Sequence, residues 1–243
     1  AKFILADGKA RMVTTDGHRL AFIERATDTP SDAKMDALIP KKALLELVKI
    51  SGESGEDVSF GEDQNHIYFE LEGRLLITRK LSGNFPNYEM VMPKDNDKTA
   101  VFDLDDVKGA VRRVALMADE RNRSIRLTMR AGEVELTAQS SEEGEGVEVV
   151  PADYSGEEVT LGFNWQYLQD FLNVGSAVQT GESEPAAVES AEKETDGYKV
   201  RVKESAVPTR ISFEFKDANA GTQLRIAGES SYDYRYVVMP LRI

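Results

Sequence analysis

Residues 85–93 read FPNYEMVMP and residues 232–240 read YDYRYVVMP, and each stretch combines aromatic residues with a terminal Met-Pro pair. The two stretches close two parts of the chain in which the same order of elements recurs: strands, one helix, then further strands. We interpret both as closing strands, because aromatic and β-branched residues favour strands and a proline stops further ladder pairing. An internal repeat of this kind indicates two modules of one topology.

The repeat extends upstream of both closing stretches. In the first copy, residues 10–25 alternate like a hairpin that turns at Asp16-Gly17, a pair that tolerates the positive φ of a tight turn. A helical segment at 41–50 and three short strands within 57–81 follow. The second copy shows the same pattern, with a helix at 164–174 and strands at 125–139, 146–154, 157–163, 210–215 and 222–228. We therefore predict an α+β fold with two similar domains, 1–96 and 97–243.

Two features interrupt the symmetry between the copies. Apolar residues at helical spacing predict a helix at 103–118, with Asp103 as a suitable N-cap. Its counterpart in the first copy would precede Ala1, so we expect the chain to begin inside a module. An acidic insertion at about 175–205 is poor in large apolar residues, and we expect a solvated loop there with a hairpin arm at 198–204.

The composition limits the functions that are possible. The chain of 243 residues carries a net charge of −13, contains no cysteine and has two histidines, His18 and His66. Thiolate metal sites and a cysteine nucleophile are therefore excluded, and little remains for a histidine zinc site or a catalytic triad. We expect no cofactor and no metal. Any affinity for nucleic acid must come from local basic patches rather than from the overall charge.

No apolar run in the sequence approaches the roughly 20 residues that a membrane-spanning helix needs. We also find no charged and then apolar leader at the start of the chain. A cytoplasmic protein without a membrane partner is therefore expected.

Five motifs that occur in register carry a family resemblance: TTDGHRLA at 14–21, GNFPNYEMVMP at 83–93, VALMADERNRSIRL at 114–127, LGFNWQYLQDFLN at 161–173 and YVVMPLRI at 236–243. Together they resemble the middle and C-terminal domains of the bacterial DNA polymerase III beta subunit, the sliding clamp family. The resemblance implies repeated clamp domains with antiparallel sheets outside and helices lining an inner face. It also implies that two three-domain subunits close head to tail around duplex DNA, in the cytoplasm and associated with the nucleoid.

The resemblance further implies a cleft that binds short linear motifs of the Gln-Leu-x-Leu-Phe type. Such motifs would belong to the DNA polymerase III catalytic subunit, the clamp loader, other polymerases and repair proteins. The matching positions are Thr15, Gly17, His18, Arg19, Leu20, Pro86, Met90, Val91, Asn164, Tyr167, Val237, Val238, Met239, Pro240, Leu241 and Arg242. From the residues alone, the C-terminal run is also what a terminal core strand looks like, and His18 also fits a partly buried histidine bonded to a backbone carbonyl.

Four basic residues, Lys41, Lys42, Arg113 and Arg121, match helices that line the central hole in the family. The resemblance implies that they face DNA phosphates without reading the base sequence. By spacing alone, these charges indicate an ordinary solvated surface. The strand at 146–150 would pair with the first domain of the other subunit, and we expect the chain to self-associate weakly through it.

We therefore predict a non-enzymatic DNA sliding clamp, a processivity factor that raises the effective concentration of the polymerase by tethering it. One alternative is a stand-alone adaptor that uses the same peptide cleft without DNA. A second alternative is an acid–base hydrolase that uses Asp16 and His18, but no serine or cysteine nucleophile lies nearby in the sequence.

Overall fold

The computed structural model describes residues 1–29, 32–51, 58–71, 73–140, 144–181, 209–227 and 232–242. The predicted insertion beyond residue 181, with its hairpin arm at 198–204, lies outside the described residues. The elements in chain order are β1 (Lys2–Ala6), β2 (Lys9–Thr15), β3 (Arg19–Ala26), β4 (Met35–Leu38), α1 (Lys41–Ser51), β5 (Ser59–Glu62), β6 (His66–Leu71), β7 (Arg74–Arg79), β8 (Lys98–Asp103), α2 (Leu104–Val114), β9 (Ser124–Arg130), β10 (Glu133–Ser140), β11 (Gly144–Pro151), β12 (Val159–Asn164), α3 (Trp165–Gly181), β13 (Arg210–Phe215), β14 (Thr222–Ile226) and β15 (Tyr232–Val238).

The chain divides into two compact units. Unit 1 comprises Ala1–Pro93 and Glu229–Val237, and unit 2 comprises Lys94–Gly228 and Val238–Ile243. Every strand pair with a defined register in the described residues is antiparallel. These sheets and their few helices confirm the predicted α+β class. The domain limits at 96 and 97 stay a prediction.

Unit 1 contains one sheet in the order β4-β1-β2-β3-β15 and a second in the order β5-β6-β7. Two residues, Asp7 and Gly8, join β1 to β2 with φ angles of 55° and 70°. This left-handed geometry is what a two-residue hairpin needs, and Asp-Gly tolerates it. The core lies between the sheets and α1, and it consists of Phe3, Leu5, Met35, Ala37, Ile39, Ala43, Ile67 and Phe69.

Unit 2 repeats this arrangement with sheets in the orders β12-β9-β10-β11 and β14-β13-β8. The first of these has the same order as β4-β1-β2-β3. A two-residue turn again joins β9 to β10, which come first along the chain, and this turn ends at Gly132 with φ 83°. Phe102 and Phe213 meet edge to face in the core, with ring centroids 5.1 Å apart. The repeat predicted from the sequence is therefore present in the fold.

The helix predicted at 103–118 is confirmed as α2, and its last turn tightens into a 3₁₀ helix at Ala115–Met117. The Asp103 carboxylate caps it by accepting hydrogen bonds from the backbone N–H groups of Asp105 and Asp106, at 2.9 and 3.2 Å. These bonds satisfy donors that no helical carbonyl can reach. Its buried stripe consists of Leu104, Val107, Ala110, Val111 and Val114.

Two predicted elements differ from the structure. The stretch 85–93 is not a strand, because Tyr88–Met90 form a 3₁₀ helix in which the Val91 N–H donates to the Tyr88 carbonyl at 3.0 Å. Prolines at both ends of the stretch lack the N–H that a ladder needs. The repeat partner at 232–240 is a strand, as predicted.

The helix predicted at 164–174 continues as α3 to Gly181, so it does not end where the insertion was expected to begin. Gly175 is buried inside this helix. A Cβ added there would lie 3.1 Å from Cδ1 of Leu104 on α2, so the glycine permits the two helices to approach closely. Within the described part of the chain, no helix is long and apolar enough to cross a bilayer.

Candidate functional site

The turn between β2 and β3 is held by its own side chains. The Thr15 hydroxyl donates to the Arg19 carbonyl at 2.8 Å, and Asp16 Oδ1 accepts from the backbone N–H groups of His18 and Arg19, both at 3.1 Å. Gly17 supplies the positive φ of 89° at the tip. The candidate residues Thr15, Gly17, His18 and Arg19 are thus brought together in one ordered turn.

Asp16 is the electrostatic centre of this turn. Partial burial opposes its ionisation, but the backbone hydrogen bonds from His18 and Arg19 and the Arg19 guanidinium at 3.0 Å outweigh it and hold the pKa of Asp16 below its usual value. The Asp16 carboxylate therefore favours its ionised form, and this form stabilises the turn.

Two candidate residues of unit 1, Leu20 and Val237, belong to one apolar cluster. Its buried members are Val13, Leu20, Phe22 and Val237. Phe85, Tyr88 and Met92 of the stretch 85–93, called the linker below, pack against it. Arg19 donates to the Tyr236 hydroxyl at 3.0 Å. Sequence reasoning did not find the three linker residues, although their apolar spacing within 85–92 was a usable signal.

Other linker residues remain exposed beside this cluster. Met90 is 80% exposed and Val91 is 44% exposed, while Pro86 is also on the surface. Exposed apolar side chains next to a fixed scaffold form a surface that can bury an apolar ligand group. Met90 adds a flexible side chain that adapts to different shapes.

The remaining candidate residues form a second group, in unit 2. The Leu241 N–H donates to the Gly162 carbonyl of β12 at 2.8 Å, and β12 leads to Asn164, whose Oδ1 accepts from the Gln166 N–H at 3.0 Å. Tyr167 is half-buried in the first turn of α3. Val238 is fully buried, as a core strand residue would be, whereas Met239 is 41% exposed. Pro240 is partly buried and Arg242 is exposed.

The predicted DNA-facing residues differ in their surroundings. Lys41 and Lys42 are exposed at the start of α1, and Arg121 is exposed in the turn after α2. Arg113 instead donates from Nε and Nη2 to the two carboxylate oxygens of Glu148 on β11, at 2.6 and 3.0 Å. This hydrogen-bonded pair raises the pKa of Arg113 and lowers the pKa of Glu148. Sequence reasoning missed this pairing.

The side chains of the described residues also bear on metal binding. No group of three or more His, Asp or Glu residues in the described ranges is arranged to hold a metal ion.

Comparisons with known proteins identify both halves of the chain. The profile of the DNA polymerase III beta subunit central domain matches residues 2–87, and the profile of the C-terminal domain matches residues 89–181. Among solved structures, the DNA polymerase III subunit beta from Pseudomonas aeruginosa superposes with a TM-score of 0.81 at 28% identity, over 100% of this chain and 58% of that chain. A sliding clamp from the same organism, bound to griselimycin, has a TM-score of 0.80 at 28% identity, over 100% of this chain and 57% of that chain.

Curated relatives agree with this match. The beta sliding clamp of Pseudomonas putida is 31% identical over 234 residues, which cover 96% of this chain and 54% of the relative. That of Pseudomonas aeruginosa is 34% identical over 237 residues, which cover 97% of this chain and 55% of the relative. The chain spans about half the length of these relatives. The chain belongs to the DNA polymerase III beta subunit family, of which it carries the central and C-terminal domains.

Proposed function

We propose that the chain works as part of a DNA sliding clamp, a processivity factor that encircles duplex DNA and tethers replication and repair proteins. The assembled clamp is a head-to-tail homodimer of longer subunits in the bacterial cytoplasm, associated with the nucleoid. It has no catalytic residues of its own, and its effect on synthesis comes from raising the local concentration of the polymerase. Family membership over both domains supports this proposal.

The peptide-binding part of this proposal is supported by the exposure of apolar side chains at the candidate positions. Met90, Val91 and Met239 present apolar surface to solvent, although each neighbours a buried scaffold. In this proposal the sixteen candidate residues bind short linear motifs of the DNA polymerase III catalytic subunit, the clamp loader, other polymerases and repair proteins. Buried anchor groups in such a site supply most of the affinity.

Fluorescence anisotropy of a labelled Gln-Leu-x-Leu-Phe peptide tests this part. We expect saturable binding of micromolar order, as a small apolar groove supports. Met239→Asp should abolish it, whereas Leu45→Asp on α1, which is 52% exposed and outside the candidate set, should leave it unchanged. Equal binding by both variants would contradict the assignment.

The DNA-binding part rests on exposed cations. Among the described residues, no carboxylate forms an ion pair with Lys41, Lys42 or Arg121 as Glu148 does with Arg113. Weak attraction to phosphates without base contacts suits a protein that slides. Because Arg113 is paired with Glu148, it contributes less to this attraction than the other three residues.

A stand-alone peptide-binding adaptor is the second candidate, favoured by the net charge of −13 and by the pairing of Arg113. Retention on closed circular DNA separates the two functions. The full-length subunit of a clamp stays on a circle after loading and is lost when the circle is cut, whereas an adaptor shows no dependence on DNA topology.

A further inference from the structure

Methionine is the only sulfur-containing residue of this chain. The sequence has no cysteine and seven methionines, all of which lie within the described residues. Oxidation of methionine to its sulfoxide turns a flexible apolar side chain into a polar, chiral one. The positions of the methionines therefore decide where an oxidant changes the properties of the protein.

Two of the seven methionines are exposed, and both are candidate peptide-binding residues. Met90 is 80% exposed and Met239 is 41% exposed. The other five are buried or partly buried: Met12, Met35, Met92, Met117 and Met129. Because susceptibility to oxidation follows exposure, an oxidant dissolved in water reaches the two candidate positions first.

The backbone around Met90 is fixed although its side chain is exposed. The Tyr88 carbonyl accepts hydrogen bonds from the Val91 and Met92 N–H groups, at 3.0 and 3.1 Å. The Tyr88 ring packs against the apolar cluster of unit 1, with its centroid 6.2 Å from that of Phe22. An oxygen atom added to the Met90 sulfur therefore changes exposed surface and leaves these contacts in place.

Met239 also extends from an ordered backbone, just after β15. The preceding residue, Val238, is fully buried, and the Leu241 N–H donates to the Gly162 carbonyl at 2.8 Å. Pro240 lies between them, and its ring restricts φ to about −65°. The Met239 sulfur can therefore gain an oxygen atom without opening the core.

We propose that Met90 and Met239 are two sites of oxidation by oxidants of the peroxide class, and that their oxidation weakens peptide binding. This inference rests on the proposed function, because the step that it changes is the binding of a short linear motif. Each thioether sulfur attacks one oxygen of hydrogen peroxide, the O–O bond breaks as the S–O bond forms, and the other oxygen leaves as water after proton transfer. The sulfur is oxidised by two electrons and the peroxide is reduced by two. Methionine sulfoxide reductases, one for each sulfoxide epimer, reverse the change.

A sulfoxide at these two positions opposes the binding of apolar groups. Its oxygen accepts hydrogen bonds from water, and an apolar anchor of a bound peptide covers that oxygen without offering a donor. Burial of such an unpaired polar group corresponds to about a fivefold or larger loss of affinity. The unmodified thioether is apolar and flexible, so it suits the same anchor. Oxidation therefore reduces the affinity of this surface for the peptide.

Anisotropy of the labelled Gln-Leu-x-Leu-Phe peptide, measured before and after treatment of the chain with hydrogen peroxide, tests this inference. Mass mapping should find sulfoxide at Met90 and Met239 before it appears at the five less exposed methionines. At that stage the Kd should be at least about five times higher, and treatment with reductases for both epimers should lower it again. No binding before peroxide contradicts the proposed function itself. Unchanged binding with both sulfurs oxidised overturns this inference alone.

Matched leucine variants separate these two sulfurs from other effects of peroxide. The double variant Met90→Leu, Met239→Leu removes both sulfurs and nearly keeps the side-chain volumes. Compared with its own affinity before treatment, it should lose none in peroxide. Met117→Leu is the control, because Met117 is partly buried and outside the candidate set, and it should stay as sensitive as the wild type. An equal loss of affinity in the double variant, or earlier sulfoxide at other methionines, overturns the inference.

Discussion

Release of Arg113 from its carboxylate partner should strengthen the attraction of the chain for duplex DNA. Arg113 donates two hydrogen bonds to Glu148, and the Arg113 side chain is 60% exposed. Glu148→Gln therefore removes the countercharge without opening the core, and an exposed ion pair adds little to stability. Each phosphate contact makes the slope of log K against log salt concentration steeper by about 0.9. One such contact therefore corresponds to about a threefold loss of affinity when the salt concentration rises fourfold.

Anisotropy of a labelled duplex, titrated with the chain at several salt concentrations, measures this slope. We expect Glu148→Gln to steepen the slope by about one unit, if the freed guanidinium meets one phosphate. Glu145→Gln is the matched control, because it removes the same charge from the same strand without touching Arg113. The double variant Arg113→Gln, Glu148→Gln should return to the wild-type slope. Equal slopes for the two single variants would refute the reasoning, because the gain would then come from net charge alone.

Three further changes test how the fold supports the site. Asp103→Ala should lower the free energy of unfolding by about 1 kcal/mol in urea titration, because two N–H groups of α2 lose their cap, while Asp103→Asn should retain it. The lowered pKa of Asp16 stabilises the folded turn at pH values above the ordinary carboxyl pKa of about 3.9, and this stabilisation is lost as pH falls through the lower folded-state pKa. Acid unfolding of Asp16→Asn should lack that contribution. Gly175→Ala should destabilise the protein by about 1 kcal/mol through contact with Leu104, and a more stable variant would show that the leucine can move aside.

The repeat and most elements were predictable because local patterns encode them. Apolar residues at helical spacing and a capping aspartate specify α2, and Asp-Gly specifies the turn after β2. The closing stretch at 85–93 was predicted wrongly, because the composition of a strand was present but its prolines prevent a ladder. At this position the two copies are more similar in amino-acid sequence than in backbone conformation.

Features that depend on contacts between distant residues were not predictable. Gly175 looks like a helix end in the sequence, yet the structure uses it where α3 approaches Leu104 of α2. The pairing of Arg113 with Glu148 joins residues 35 positions apart, and it depends on how β11 lies beside α2. Neither fact follows from spacing within one element, so the charge available to bind DNA could not be counted from the sequence.

One strand position has different neighbours in the two copies of the repeat. At β3 the edge is closed by β15, and the Arg19–Tyr236 hydrogen bond and the cluster around Phe22 fix the turn that carries the candidate peptide-binding residues. A site held by a completed sheet loses little entropy when a ligand binds, because its side chains are already ordered. At β11 the equivalent position carries Val147 and Val149, which are 54% and 52% exposed, and β10 is the only strand beside β11 in the described part of the chain. The two copies of the repeat therefore differ in whether this strand is paired on both sides among the described residues.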